Sequence, residues 1–225
     1  MPFAPFFTSL GLFVVEDFLS TEEGLRLCNE MKSVALQKGR LYSKSGEASL
    51  VDENFRQAYD AIVSDETISA LRRRIEGIRP KLEEHFDVSL RKECQGPDFV
   101  TYLPGGFFAP HRDVNEAASE EVRKRRVSMV IFLNSQSAEP AVDCFGGGGL
   151  TFYGLMKGLE WENCGFTLEP KAGLLIAFRP DVLHQVQPVT FGERHIIVSA
   201  FLAAVKPTLE GSRREPEICS TEPGE

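Results

Sequence analysis

The sequence predicts an α+β chain: a double-stranded β-helix, or jelly roll, of about eight strands, with helices flanking it on the N-terminal side. Three observations lead there. Helical periodicity is confined to residues before about 90. From Asp98 onward, short apolar runs alternate with turn chemistry and no helical pattern intervenes. At 225 residues and 42% hydrophobic, the chain is long enough to bury one sizeable core. The expected organisation is one domain over 1–206, with helical support at 1–97 and the jelly roll at 98–206. A flexible tail at 207–225, rich in Pro, Glu, Ser and Gly, completes it.

Leu12-Phe13-Val14-Val15 reads as a short strand. Ser20-Thr21-Glu22-Glu23 has the pattern of a capping box. The stripe of Leu25, Leu27, Cys28, Met31, Val34 and Ala35 then predicts a helix through about Lys38. A second helix begins near Asp65, carrying Ile68, Leu71, Ile75 and Ile78, with Pro80 marking a kink or break. Residues 39–59 between them are polar and without periodicity. They read as a surface loop, with a lid over a pocket as the second reading.

The expected strands of the second half are 99–103, 107–110, 127–134, 150–153, 165–168, 174–178, 184–189 and 195–203. Turn residues separate them: Pro104-Gly105-Gly106, the glycines 146–149, Pro170 to Gly173, and Phe191-Gly192-Glu193. The glycines lack the patterns of a phosphate loop.

A net charge of −8 argues against nucleic acid as a partner, since phosphate binding draws on clustered cations. The basic run Arg123 to Arg126 reads as a solvated loop entering a strand. Five scattered cysteines without a C-x-x-C pair favour reduced thiols in a cytoplasmic setting. The apolar N-terminus has no basic leader region, and no apolar run is of membrane-spanning length, so no membrane association is expected.

The chemistry lies in two H-x-D pairs and two further histidines. His85-Phe86-Asp87 sits at a helix end, where residues i and i+2 point about 200° apart and cannot easily share a metal. His85 there reads as a helix-end histidine whose charge suits the C-terminal dipole. His111-Arg112-Asp113 follows extended chain, in which i and i+2 share a face. A third ligand would be His184 or His195. His195 directly follows Arg194, so in a strand the two face opposite ways, and a pocket-facing Arg194 excludes it. Two histidines and one carboxylate form the facial triad of a mononuclear iron(II) site, which leaves three positions open. Arg194 offers a planar fork for a carboxylate of a dicarboxylic co-substrate.

These blocks, in this order, resemble the iron(II)/2-oxoglutarate dioxygenases, specifically the prolyl 4-hydroxylase-like branch. Residues 13–20 are similar to the family's opening strand and helix, and residues 102–113, from Tyr102 to Asp113, to its Y-x-x-G-x-[FY]-x-x-H-x-D block. The strand ending in Leu133-Asn134, the Gly148-Gly149-Leu150-Thr151-Phe152 segment, Pro170 to Phe178, His184, and Pro188 to Arg194 complete the resemblance.

The resemblance implies His111, Asp113 and His184 as iron ligands, and Arg194, Tyr102 and Thr151 as co-substrate contacts. The implied cofactors are Fe(II), 2-oxoglutarate and O2, with ascorbate rescuing idle turnover. The implied reaction hydroxylates an unactivated C–H and releases succinate and CO2. Phe132 and Phe108 depart from the pattern, standing where tyrosines are common. Asp113 argues against halogenation, which needs a small residue there. The branch favours a prolyl residue in a peptide or protein as substrate. A free amino acid or other small metabolite is the alternative, and a non-catalytic jelly-roll binding module the remote one. Arg56, Tyr42 and Tyr59 are the candidate substrate residues, with Arg40 beside them in the same loop.

Overall fold

In the computed structural model, which describes residues 4–39, 41–42, 48–50, 52–114, 118–156, 158 and 164–204, a short helix α1 (Ala4–Ser9) and strand β1 (Phe13–Val15) lead into helix α2 (Thr21–Ser33). The capping box forms as read. The Glu23 amide donates to Ser20 Oγ at 3.1 Å, and the Ser20 amide donates to the Glu23 carboxylate at 2.7 Å. Such a cap stabilises a helix start by about 1 kcal/mol.

Helix α2 stops at Ser33 rather than near Lys38, because Val34 turns extended (φ −106°, ψ 160°). Residues Leu36–Lys38 form strand β2. Strands β3 (Leu41–Tyr42) and β4 (Ala48–Leu50) pair with each other, and β5 (Tyr59–Ala61) pairs back onto β2. The segment expected to be a loop therefore carries strands. Alternating burial is the usual sign of a strand, and β2, exposed along its whole length, lacks it. Arg40 and residues 43–47 lie outside the described residues.

Helix α3 (Asp65–Gly77) starts at Ser64, and Glu30 of α2 secures that start. Its carboxylate accepts from the Ser64 amide and hydroxyl, both at 2.9 Å, and from the Thr67 hydroxyl at 2.8 Å. Helix α4 (Arg79–Phe86) follows after a break at Ile78. Pro80 falls in its first turn, where a missing N–H costs nothing.

Strand β6 (Leu90–Tyr102) begins ahead of the boundary expected at residue 98. Then come β7 (Phe108–His111), α5 (Glu120–Arg123), β8 (Arg125–Phe132), β9 (Ser135–Gln136), β10 (Cys144–Gly147), β11 (Leu150–Tyr153) and β12 (Gly165–Leu168). The last four strands are β13 (Leu175–Phe178), β14 (His184–Val186), β15 (Val189–Phe191) and β16 (Arg194–Ala203). The basic run closes α5 and opens β8. The run expected as one strand over 184–189 divides at Gln187-Pro188 into β14 and β15, since proline donates nothing to a ladder.

A large sheet of order β1-β13-β8-β16-β6-β5-β2 faces a smaller one of order β12-β11-β14-β7, with β15-β10-β9 at one end. This is the expected jelly roll with N-terminal helices. Strand alternation divides its interior in two. Val127, Met129, Ile131, Ile197 and Phe201 pack under the helices with Leu27, Met31, Ile75 and Leu82. Val100, Val130, Phe132 and Ile196 face the small sheet, against Leu150, Phe152 and Val186. Functional side chains that reach this second interior come from alternate residues of β6, β8 and β16. Among the described residues no helix is long and apolar enough to cross a membrane.

Candidate metal centre and co-substrate pocket

Strands β7 and β14 are antiparallel neighbours, and His111 pairs directly with His184. Their ring centroids are 4.2 Å apart. Each Nδ1 lies 2.9 Å from a carbonyl two residues earlier, that of Ala109 for His111 and of Val182 for His184. A carbonyl can only accept, so both Nδ1 atoms carry the proton and both Nε2 atoms present lone pairs.

Those Nε2 atoms stand 3.6 and 3.8 Å from Asp113 Oδ1. One donor atom from each of the three residues falls within 4.8 Å of the others. The turn after β13 supports Asp113 from outside, with the Val114 amide donating to the Pro180 carbonyl at 3.1 Å and Arg112 donating to the Asp181 carbonyl.

Burial lowers the His184 pKa, with Asp113 partly opposing it, so the ring stays a neutral donor. Burial also works against an ionised Asp113, but the adjacent His111 and His184 rings and the Ser128 hydroxyl outweigh it. They hold this carboxyl well below the usual range. Two imidazoles that present Nε2 and one carboxylate are a donor set suited to a ferrous ion.

Arg194 opens β16 opposite Tyr102 of β6. It is fully buried, with its guanidinium carbon 5.0 Å from the Tyr102 ring centroid and 5.3 Å from that of Phe132. Its Nε, Nη1 and Nη2 atoms have no hydrogen-bond partner among the described residues. Burial pushes its pKa down to about 10, which still leaves it cationic at neutral pH. A buried, unpaired cation is strongly unfavourable and calls for an anion.

Two features hold this arginine. Gly148 (φ +61°) lies so close that a Cβ there would stand 2.9 Å from Arg194 Cδ. Asn134 brackets it along the chain, donating to the Glu193 carbonyl at 2.8 Å and accepting from the His195 amide at 3.0 Å.

His195 points the other way, as strand alternation predicts. Its Nδ1 is 3.0 Å from Thr101 Oγ1, and its Nε2 is 3.2 Å from a Glu193 carboxylate oxygen. Burial first, then Lys32, pushes its pKa down to about 4. His85 is not the charged helix-end residue that was expected. It stacks edge-on against Phe13 and Phe86, and burial together with Arg179 lowers its pKa.

A cavity of about 720 Å³ joins these groups, lined by His111, Asp113, His184, Arg194, Tyr102 and Arg56 among others. Arg56 lies 5.2 Å over the Phe108 ring and pairs with Asp60 at 3.6 Å.

Two expected contacts are not there. Thr151 alternates with the inward-facing Leu150 and Phe152, and its hydroxyl meets Thr167 at 2.8 Å on the outer face of the small sheet. Tyr59 pairs with Thr101, whose side chain meets His195, so it shares the face turned from the cavity. The Tyr42 side chain lies outside the described residues.

Sequence reasoning missed Ser128 and Asp98, which also line the cavity. Ser128 Oγ is buried and faces the Asp113 carboxylate. Counting back by twos from Phe132 and Tyr102 would have found both residues.

Residues 97–202 match the 2OG-Fe(II) oxygenase superfamily. No curated protein matches the chain. Among solved structures, a Pseudomonas putida prolyl-4-hydroxylase superposes with a TM-score of 0.59 at 21% identity, covering 90% of this chain and 97% of that one. A Trichoplax adhaerens prolyl hydroxylase, in complex with a hypoxia inducible factor oxygen degradation domain peptide fragment, gives 0.63 at 18% identity, covering 89% and 87%. A viral collagen prolyl hydroxylase from Paramecium Bursaria Chlorella virus-1, as its 2OG complex, gives 0.52 at 20%, covering 87% and 96%. At these identities the likeness establishes the fold. Residues 97–202, which carry the His-Asp-His cluster and the orphaned arginine, are a 2OG-Fe(II) oxygenase domain, and the chain is a dioxygenase that uses Fe(II), 2-oxoglutarate and O2.

Proposed function

We propose that this dioxygenase hydroxylates an unactivated C–H of a prolyl residue in a peptide or protein. In this reading His111, Asp113 and His184 hold the ferrous ion on one side and leave its other positions free. Arg194 pairs with the distal carboxylate of 2-oxoglutarate, and the Tyr102 ring bounds the same end of the cavity. When bound, the iron and co-substrate supply the oxidising chemistry, with decarboxylation to succinate and CO2 coupled to hydroxylation. The protein orients the groups and keeps water from them. Val100, Val130 and Ile196 form the apolar wall that does this.

The observation that carries the reading is the Arg194 guanidinium, fully buried and unpaired among the described residues, on the same cavity as three converging ligands. The peptide bound in the Trichoplax structure supports a peptide substrate, as do the names of the other two neighbours. The described cysteines are free thiols, which suits the cytoplasmic setting read from the sequence and a ferrous ion kept reduced, with ascorbate restoring it after idle turnover.

The test incubates the protein with Fe(II), 2-oxoglutarate, ascorbate and either prolyl peptides or free amino acids. Succinate should rise with a prolyl peptide, and the peptide should gain one oxygen atom. Oxygen appearing only on free amino acids would replace the peptide with a small-molecule substrate. No succinate under any condition would remove the reading.

A further inference from the structure

Asp98 shares an inward face of β6 with Val100 and Tyr102, because residues two apart in a strand point the same way. Tyr102 stands beside Arg194, whereas Asp98 pairs with Val198, four residues further along β16. At a rise of about 3.3 Å per residue, Asp98 lies roughly 13 Å from the arginine end of the cavity. The metal ligands fall toward it. Asp113 faces Ser128, and Ser128 pairs with Ala200, beyond Val198. Arg194 and Asp98 therefore mark opposite ends of one floor, with the metal centre displaced from the co-substrate end toward Asp98.

This carboxylate is open to the cavity and makes no hydrogen bond or ion pair among the described residues. Three arginines nearby are engaged elsewhere. Arg72 donates twice to the Gly96 carbonyl, at 3.2 and 2.9 Å. Arg125 donates to the Gln95 side chain at 2.7 Å, and Arg56 pairs with Asp60 at 3.6 Å. Asp98 is exposed at the cavity, and partial desolvation by its surroundings, then Asp60, raise its pKa against the charges of Arg125, Arg56 and Arg72. A cation placed there would relieve both effects.

We propose that Asp98 is a specificity determinant of this oxygenase: it receives a positively charged group of the substrate, a protonated amine or a guanidinium, and so sets which neighbouring C–H faces the metal. The inference rests on the oxygenase reading of the cavity and narrows its substrate class. The cation could be a basic side chain beside a prolyl residue or the ammonium of a free amino acid, and the test separates these sources.

Four probes suffice: a neutral prolyl peptide, the same peptide with lysine beside the proline, the same with glutamate, and free proline. Their binding to the protein loaded with Mn(II) and 2-oxoglutarate is measured by calorimetry, and their turnover with Fe(II) by succinate release, for wild type and Asp98→Asn. A charge-assisted contact predicts that the lysine peptide or free proline binds about tenfold more tightly than the neutral peptide. Asp98→Asn should erase that preference by raising KM with little change in kcat, and leave the affinity for 2-oxoglutarate as it was. Preference for the lysine peptide names a side chain as the source, and preference for free proline names the ammonium. A wild type without cation preference overturns the proposal, as does a preference that survives in Asp98→Asn, an equal loss across all probes, or no binding of any cationic probe. Absence of succinate with every probe would count against prolyl hydroxylation, while the binding comparison still judges Asp98.

Discussion

His111 and His184 stand opposite one another on adjacent antiparallel strands, and each donates its Nδ1–H to the carbonyl two residues before it. The same local device thus orients both ligands, and β-sheet register brings them together. Replacing His184 with alanine should reduce metal retention and succinate formation by more than about 100-fold, beyond what loss of a supporting residue costs. Metal content after dialysis and a succinate assay check this. Retention of stoichiometric iron by His184→Ala would place the metal elsewhere.

Arg194 gives two variants with opposite expectations. Arg194→Lys keeps a charge and loses the planar fork, so KM for 2-oxoglutarate should rise about tenfold or more. Arg194→Met removes an unpaired buried cation, so the ligand-free protein should gain about 1–4 kcal/mol of stability. Wild type should gain thermal stability on adding 2-oxoglutarate with Mn(II), and Arg194→Met should gain much less. Thermal melts with and without the co-substrate decide it.

Asn134 ties the backbone on both sides of Arg194. Asn134→Ala leaves a part-buried carbonyl and a buried amide without their partner, at a cost of about 2–4 kcal/mol. Because β16 then starts less firmly, KM for 2-oxoglutarate should increase as well. A drop in Tm without any change in that KM would make Asn134 purely structural.

His195 supplies a pH dependence. Its folded pKa, about 4, lies below the ordinary 6.5, so between these values the unfolded chain binds the extra proton and the folded one does not. Stability from this group is complete above about pH 6.5 and falls as pH drops toward 4, by on the order of 2–3 kcal/mol. Denaturant unfolding at pH 7 and pH 5 should show a smaller difference for His195→Gln than for wild type.

Gly24 sits where α2 crosses the end of β8. Alanine normally favours a helix interior over glycine by about 1 kcal/mol. Here its Cβ would stand 2.6 Å from the Leu133 carbonyl oxygen, and backbone cannot yield cheaply. Gly24→Ala should therefore lower Tm, and a higher Tm would show that α2 is free to shift.

Local chemistry carried much of this in the sequence. The capping box at Ser20, the helix break just before Pro80, the strands at 150–153 and 165–168 and the His111/Asp113 pair all depend on neighbours within a few residues. The opposed faces of Arg194 and His195 follow from strand alternation alone. Tertiary structure decided the rest. Leu36–Lys38 is a strand only because β5 lies beside it, although its residues extend the helical stripe of α2. Thr151 and Tyr59 face away from the cavity because of which sheet face closes over the core, a long-range outcome that no short pattern encodes. The same holds for Asp98, an ordinary acidic residue in the sequence, which becomes a cavity residue only once β16 fixes its register against β6. Residue type and short spacing determined which groups could bind a metal and a dicarboxylate. Pairing between distant strands determined which of them share one cavity, because that geometry depends on burial and register summed over the whole chain.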